Sequence, residues 1–80
     1  VRGFRIELGE IEAALRGLDD VRDVAVVVRD DDRVGPQVIA YVVPQPGVVL
    51  DVADVSTRLG RDLPSYMVPA AFVVLEALPL

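Results

Sequence analysis

The spacing of apolar residues changes period between Ile6 and Leu8, from that of a strand to that of a helix. Phe4 and Ile6 alternate with Gly3, Arg5 and Glu7, the repeat of a strand with one apolar face. From Leu8 onward the apolar positions are Leu8, Ile11, Leu15 and Leu18, which form one stripe along a helix. Glu10 and Glu12 fall in that helix's first turn, where the macrodipole favours negative charge. The opening therefore predicts an extended arm with two arginines, Arg2 and Arg5, tied to the body by an amphipathic helix over 8–18. Gly17 is a candidate terminator of that helix.

The rest of the chain alternates in the same way. The apolar run Val24 to Val28 predicts a strand over 21–29, covered on both faces or nearly so. Asp30-Asp31-Asp32 leads into Gly35-Pro36 without the spaced ligands of a calcium loop, so it reads as a solvated turn. Gln37 to Val43 is a second strand, closed by Pro44-Gln45-Pro46-Gly47. Asp51 is a good N-cap, with Asp54 in the capping-box position, for a helix striped by Val52, Val55, Leu59 and Leu63. Tyr66 and Met67 read as packing residues in a stiff, proline-bounded crossing, and Ala70 to Leu75 as a last strand. The predicted class is α+β: a three-stranded sheet with two helices packed on it and an N-terminal hairpin arm. The first two long strands should pair antiparallel, while the third could join either edge.

Composition narrows the function. A chain of 80 residues, 52% hydrophobic, suits one folded domain rather than two or a disordered segment. A net charge of -5 argues against nucleic acid, whose phosphates need a basic face. No apolar run approaches a membrane span and no signal peptide is visible, so a soluble cytoplasmic protein is expected. The chain has no cysteine and no histidine, and its 8 basic residues are all arginine. Thiolate, imidazole and amine chemistry thus lack their side chains, and Ser56 and Thr57 have no nearby base to activate them. No metal site is expected. Such a chain is a poor candidate for a complete enzyme, and its start at Val1 is what a piece of a longer polypeptide would show.

The arm leaves two readings open. Gly3 is either a plain turn glycine or a point where another group approaches the backbone. Arg5 and Glu7 share one face, and are either a surface ion pair worth less than about 1 kcal/mol or a contact surface for something else.

The run Arg2-Gly3-Phe4-Arg5-Ile6-Glu7-Leu8-Gly9-Glu10-Ile11-Glu12 resembles, almost letter for letter, the eighth conserved motif of nonribosomal peptide synthetase adenylation domains, R-G-x-R-I-E-L-G-E-I-E. Leu63-Pro64-Ser65-Tyr66-Met67-Val68-Pro69 resembles the ninth, L-P-x-Y-M-V-P. The resemblance covers essentially the whole chain, since the segment between the motifs also has the expected length. It implies that residues 1–80 are the small, mobile C-terminal subdomain of an adenylate-forming enzyme. The parent would use ATP and Mg to turn an amino acid into an aminoacyl-AMP, then load it on the phosphopantetheine thiol of a carrier protein. By the resemblance, Gly3, Phe4 and Arg5 border the pantetheine tunnel in the thioester-forming pose. Arg5 would face the adenylate phosphate or the large subdomain, with Arg2 and Glu7 as further interdomain contacts. The implied partners are the large N-terminal subdomain and the peptidyl carrier protein.

The pattern breaks at the end. Relatives continue past Leu-Pro-Leu into N-G-K-[VI]-D-R, whose lysine neutralises charge during adenylation. This chain ends at Leu80, has no lysine, and lacks the hinge aspartate expected upstream. Truncation before the lysine motif is therefore expected, with no catalytic residue here, no cofactor bound by the piece alone and no activity in isolation. Two alternatives compete: a non-catalytic ferredoxin-like regulatory or interaction module, and the same subdomain of an acyl-CoA or aryl-acid ligase. The amino acid cannot be read from these residues.

Overall fold

The computed structural model describes residues 7–78. The element order is α1 (Leu8–Arg16), β1 (Val21–Asp31), β2 (Gly35–Pro44), α2 (Val52–Asp62), one 3-10 turn (Ser65–Met67) and β3 (Ala71–Val74). This is the predicted α+β set of three strands and two helices. The predicted arm, apart from Glu7, lies outside the described residues.

α1 forms because Ile11 and Leu15, one turn apart, are both fully buried, while Glu10 and Arg16 complement the dipole at its two ends. The backbone carbonyl of Glu7 opens the helix, accepting from the N–H of Glu10 at 3.0 Å and of Ile11 at 3.3 Å. Gly17 does terminate it, but at φ -71° and ψ -11°, a right-handed conformation open to any residue. Leu18, read as the stripe's last member, lies beyond the helix and still packs against the core. A Cβ at Gly17 would lie 3.4 Å from the Ala14 carbonyl oxygen. Gly17→Ala is thus expected to stabilise the fold by about 0.5 kcal/mol, through a less disordered unfolded chain, and to raise the thermal midpoint slightly. A lowered midpoint would show that the carbonyl contact outweighs that gain.

β1 and β2 form the antiparallel hairpin, with Val24 opposite Val42, Val26 opposite Ala40 and Asp31 opposite Gly35. The acidic stretch is only partly the turn: β1 runs two residues past its expected end, and Asp30 and Asp31 pair with Pro36 and Gly35. The turn proper is 32–34, where Asp31 Oδ1 accepts the Arg33 N–H at 2.7 Å and Gly35 closes the loop at φ +85°. A register shift between Val21 and Asp23 lets Val21 and Val24 both be buried despite their odd spacing.

The sheet order is β1-β2-β3, and β3 pairs with β2 in parallel, Ile39 opposite Ala71 and Val42 opposite Val74. The choice of edge is thereby settled. β2 already spends its other edge on β1, and the α2 crossover supplies the length that a parallel connection needs. α2 starts at Asp51, whose Oδ1 accepts the N–H of Ala53 at 3.0 Å and of Asp54 at 3.3 Å.

One apolar cluster joins the layers. Ile11 and Leu15 of α1 and Val55 and Leu59 of α2 meet Val24, Val26, Val38, Ala40 and Val42 of the sheet, with Met67 closing one end. The register puts those five sheet residues on one face. The opposite face is less covered, with Val27 36% and Val73 37% exposed. The expectation that the valine run is covered on both faces is corrected, because both helices feed the same face. Val28 follows the core parity but is 45% exposed, near the hairpin tip. No helix among the described residues is long and apolar enough to cross a membrane.

Candidate functional site

Arg2, Gly3, Phe4 and Arg5 lie outside the described residues. Glu7, the remaining predicted contact, is half-buried with an extended backbone (φ -103°, ψ 95°) and joins directly to α1. The described part of the first motif is thus the N-cap and the first turns of α1. What holds α1 determines how anything attached before Glu7 is carried.

Two kinds of contact hold it. The apolar stripe gives area without direction. A polar pair gives direction: Glu12 Oε2 accepts the Val26 N–H at 3.1 Å, and an Arg16 guanidinium nitrogen donates to the Val24 carbonyl at 3.4 Å. Glu12 and Arg16 also face each other at 3.8 Å. Among the described residues β1 is an edge strand, and these side chains occupy backbone groups that have no ladder partner within that sheet. Neither residue's tie to β1 is among the sequence expectations. A signal existed in their i,i+4 spacing, which places an acid and an arginine side by side on a helix.

The second motif forms the crossing from α2 to β3. Pro64 accepts the Met67 N–H on its carbonyl at 2.9 Å, Met67 is buried, and Pro69 is buried at the entry to β3. Met67 therefore packs as predicted. Tyr66 does not join the core, because it is 42% exposed on the outer side of the 3-10 turn.

α2 is tied back to the turn after α1. Arg58 donates to Asp54 Oδ2 at 2.9 and 2.6 Å, and to Asp20 Oδ2 at 3.2 Å. Asp54 therefore serves Arg58, where a capping box would turn its carboxylate to the Asp51 N–H. At this helix start it is Asp51 that supplies the accepting side chain. The hydrogen bond to Asp54 first, and that to Asp20 second, raise the proton affinity of Arg58 above its ordinary value. An arginine so placed stays charged at any working pH and titrates nothing.

The chemical repertoire is narrow. Among the described residues no group of His, Cys, Asp and Glu is placed to hold a metal ion. An open groove of about 280 Å³ lies against Arg22, Asp23, Val43, Glu76, Ala77 and Leu78, below the ~300–1,000 Å³ usual for small-molecule pockets. The geometry is that of a carrier body whose two motif segments sit at its entry and at an internal crossing.

A small helix-on-sheet body with these two segments defines the C-terminal subdomain of adenylate-forming enzymes. The chain belongs to the AMP-binding enzyme C-terminal domain family, whose signature matches residues 10–80. It is 49% identical over 80 residues to a dimodular nonribosomal peptide synthase of Bacillus subtilis (strain 168), and 42% to novobiocin biosynthesis protein H of Streptomyces niveus. All of this chain is covered in both cases, but only 3% of the first relative and 13% of the second. Among solved structures, a four-domain nonribosomal peptide synthetase, holo-AB3403 bound to AMP and glycine, superposes with a TM-score of 0.89 at 42% identity. That match covers 100% of this chain and 6% of the other. The Brucella canis acyl-CoA synthetase superposes almost as well, TM-score 0.86, at 25% identity over 96% of this chain and 15% of its own. Backbone shape is thus common to the branches, and sequence similarity favours the peptide synthetases over both alternatives.

Proposed function

We propose that this chain works as the mobile C-terminal subdomain of an amino-acid-activating ligase of the nonribosomal peptide synthetase kind. The ligase forms an aminoacyl-AMP from an amino acid and ATP with Mg, then passes the aminoacyl group to a carrier's phosphopantetheine thiol as a thioester. Its partners are the large N-terminal subdomain and the peptidyl carrier protein, and its compartment is the cytoplasm. The subdomain rotates between two poses, presenting a different surface for each half-reaction. In the transfer pose Gly3, Phe4 and Arg5 border the pantetheine tunnel, and Arg2 and Glu7 contact the large subdomain. The one observation that carries this reading is the end-to-end similarity to peptide synthetases, at 49% identity in one of them.

The test uses the whole polypeptide that carries this chain. Amino acids are screened for pyrophosphate exchange, and a phosphopantetheinylated carrier is followed by intact-mass spectrometry. Exchange dependent on one or a few amino acids, with an aminoacyl mass added to the carrier, is the expected result. Exchange driven only by aryl or fatty acids would move the chain to the acyl-CoA and aryl-acid branch.

A further inference from the structure

The Glu12–Arg16 pair is spaced to read the edge of a strand. Residues four apart rise about 6 Å along a helix. Residues two apart advance about 6.5 Å along a strand, and every second residue turns its backbone groups to the same edge. Glu12 meets Val26 and Arg16 meets Val24, so α1 runs opposite to β1 with the two repeats in step. The polarities match as well, an acceptor on the N–H and a donor on the carbonyl. A shift of α1 along the strand would lose both bonds, whereas the contacts of Ile11 and Leu15 with a valine surface would degrade gradually.

We propose that Glu12, assisted by Arg16, is a positioning residue for the thioester-forming half-reaction. It fixes the axial register of α1 on β1, and so the direction in which Glu7 launches the preceding segment. Glu12 carries more of this than Arg16, since its side chain is 28% exposed against 55% and its bond is the shorter. The ion pair itself, at 3.8 Å, contributes little. The inference rests on the proposed function, in which residues before Glu7 act in the transfer pose. Glu12 touches neither substrate nor carrier in this scheme; it acts through α1.

The test compares four variants in the whole polypeptide: Glu12→Ala, Glu12→Gln, the exchange E12R/R16E, and Gly3→Leu as reference for the arm. Each is measured for pyrophosphate exchange, single-turnover carrier loading and thermal midpoint. A misplacement near 1 Å costs a reaction about 100-fold, so a partial slip in Glu12→Ala is expected to slow loading about tenfold or more. Pyrophosphate exchange should stay within about twofold at temperatures well below the midpoint, since the adenylation pose does not use the arm. Glu12→Gln keeps an acceptor for the Val26 N–H and should load within about threefold of wild type. The exchange variant keeps net charge and the intrahelical pair but reverses both polarities toward β1, and should behave as Glu12→Ala. It also turns both charges against the helix dipole. A helix-stability role alone would therefore lower pyrophosphate exchange and loading together with the midpoint, whereas the positioning role lowers loading with pyrophosphate exchange retained.

Normal loading by Glu12→Ala with loading blocked in Gly3→Leu would overturn the positioning role and leave the arm's role standing. Equal losses in both half-reactions, tracking the midpoint, would reduce Glu12 to a folding residue. Normal loading by Gly3→Leu would remove the arm from the transfer step and the positioning role with it.

Discussion

Replacing Gly3 with leucine is expected to leave pyrophosphate exchange nearly intact and to cut transfer to the carrier by about 100-fold or more. Only glycine offers a backbone with no side chain to intrude on an approaching group. A leucine at that position would place a branched side chain where, in the proposed pose, the pantetheine arm passes. In the proposed scheme adenylate formation is completed in the other pose and does not use the arm, so it should be indifferent to the change. The ratio of the two rates is therefore the diagnostic quantity. A variant that loses both together, with a lowered thermal midpoint, would make Gly3 a turn glycine required for folding.

The largest effect on stability is expected at Leu15. Its side chain is fully buried between α1, the sheet and α2. Truncation to alanine removes its apolar area and leaves a cavity, at a cost of about 3–5 kcal/mol. Whole domains are stable by only about 5–15 kcal/mol, and one of this size sits toward the low end. Leu15→Ala should therefore unfold the subdomain at temperatures the wild type withstands, with both half-reactions falling together. Differential scanning calorimetry of the whole polypeptide would show this as an early transition. Val28→Thr, at an exposed position near the hairpin tip, serves as control and should shift that transition little. If Leu15→Ala melted with the wild type, the core assignment would fail.

Much of the fold was legible in the residues themselves. The stripes Ile11/Leu15 and Val55/Leu59 announce both helices because each helix has one side to bury. Asp51 marks the start of α2 because its short carboxylate reaches two orphan N–H groups, and the acidic run leads into the hairpin turn. Two misreadings have one cause, since local sequence does not say what lies over a surface. The valine run reads as doubly covered, yet both helices settled on one face and left Val27 partly open. Tyr66 reads as packing, yet the 3-10 turn rotates it outward while burying Met67 beside it. The edge chosen by β3 was likewise beyond local reading, because it depends on what β2 had already paired with.

The candidate site divides the same way. Gly3, Phe4 and Arg5 are named by resemblance and lie outside the described residues. Glu12 belongs to the same motif but reads there as a helix-dipole charge. Its tie to Val26 spans fourteen positions of sequence, and appears only once α1 has been laid along β1.

The core contains no buried polar or charged side chain among the described residues. Cohesion of that kind places few demands on spelling, since Val, Ile and Leu can trade places so long as summed volume is kept. Over generations the interior can wander through many neutral alphabets while the backbone stays put. The tie between Glu12 and the β1 edge has no such latitude, because it needs an acceptor at one height and a donor one turn later. Drift inside should therefore be confined to apolar exchanges that keep the summed volume, while the surface seam, unlike most surface positions, should hold an acceptor and a donor at fixed places.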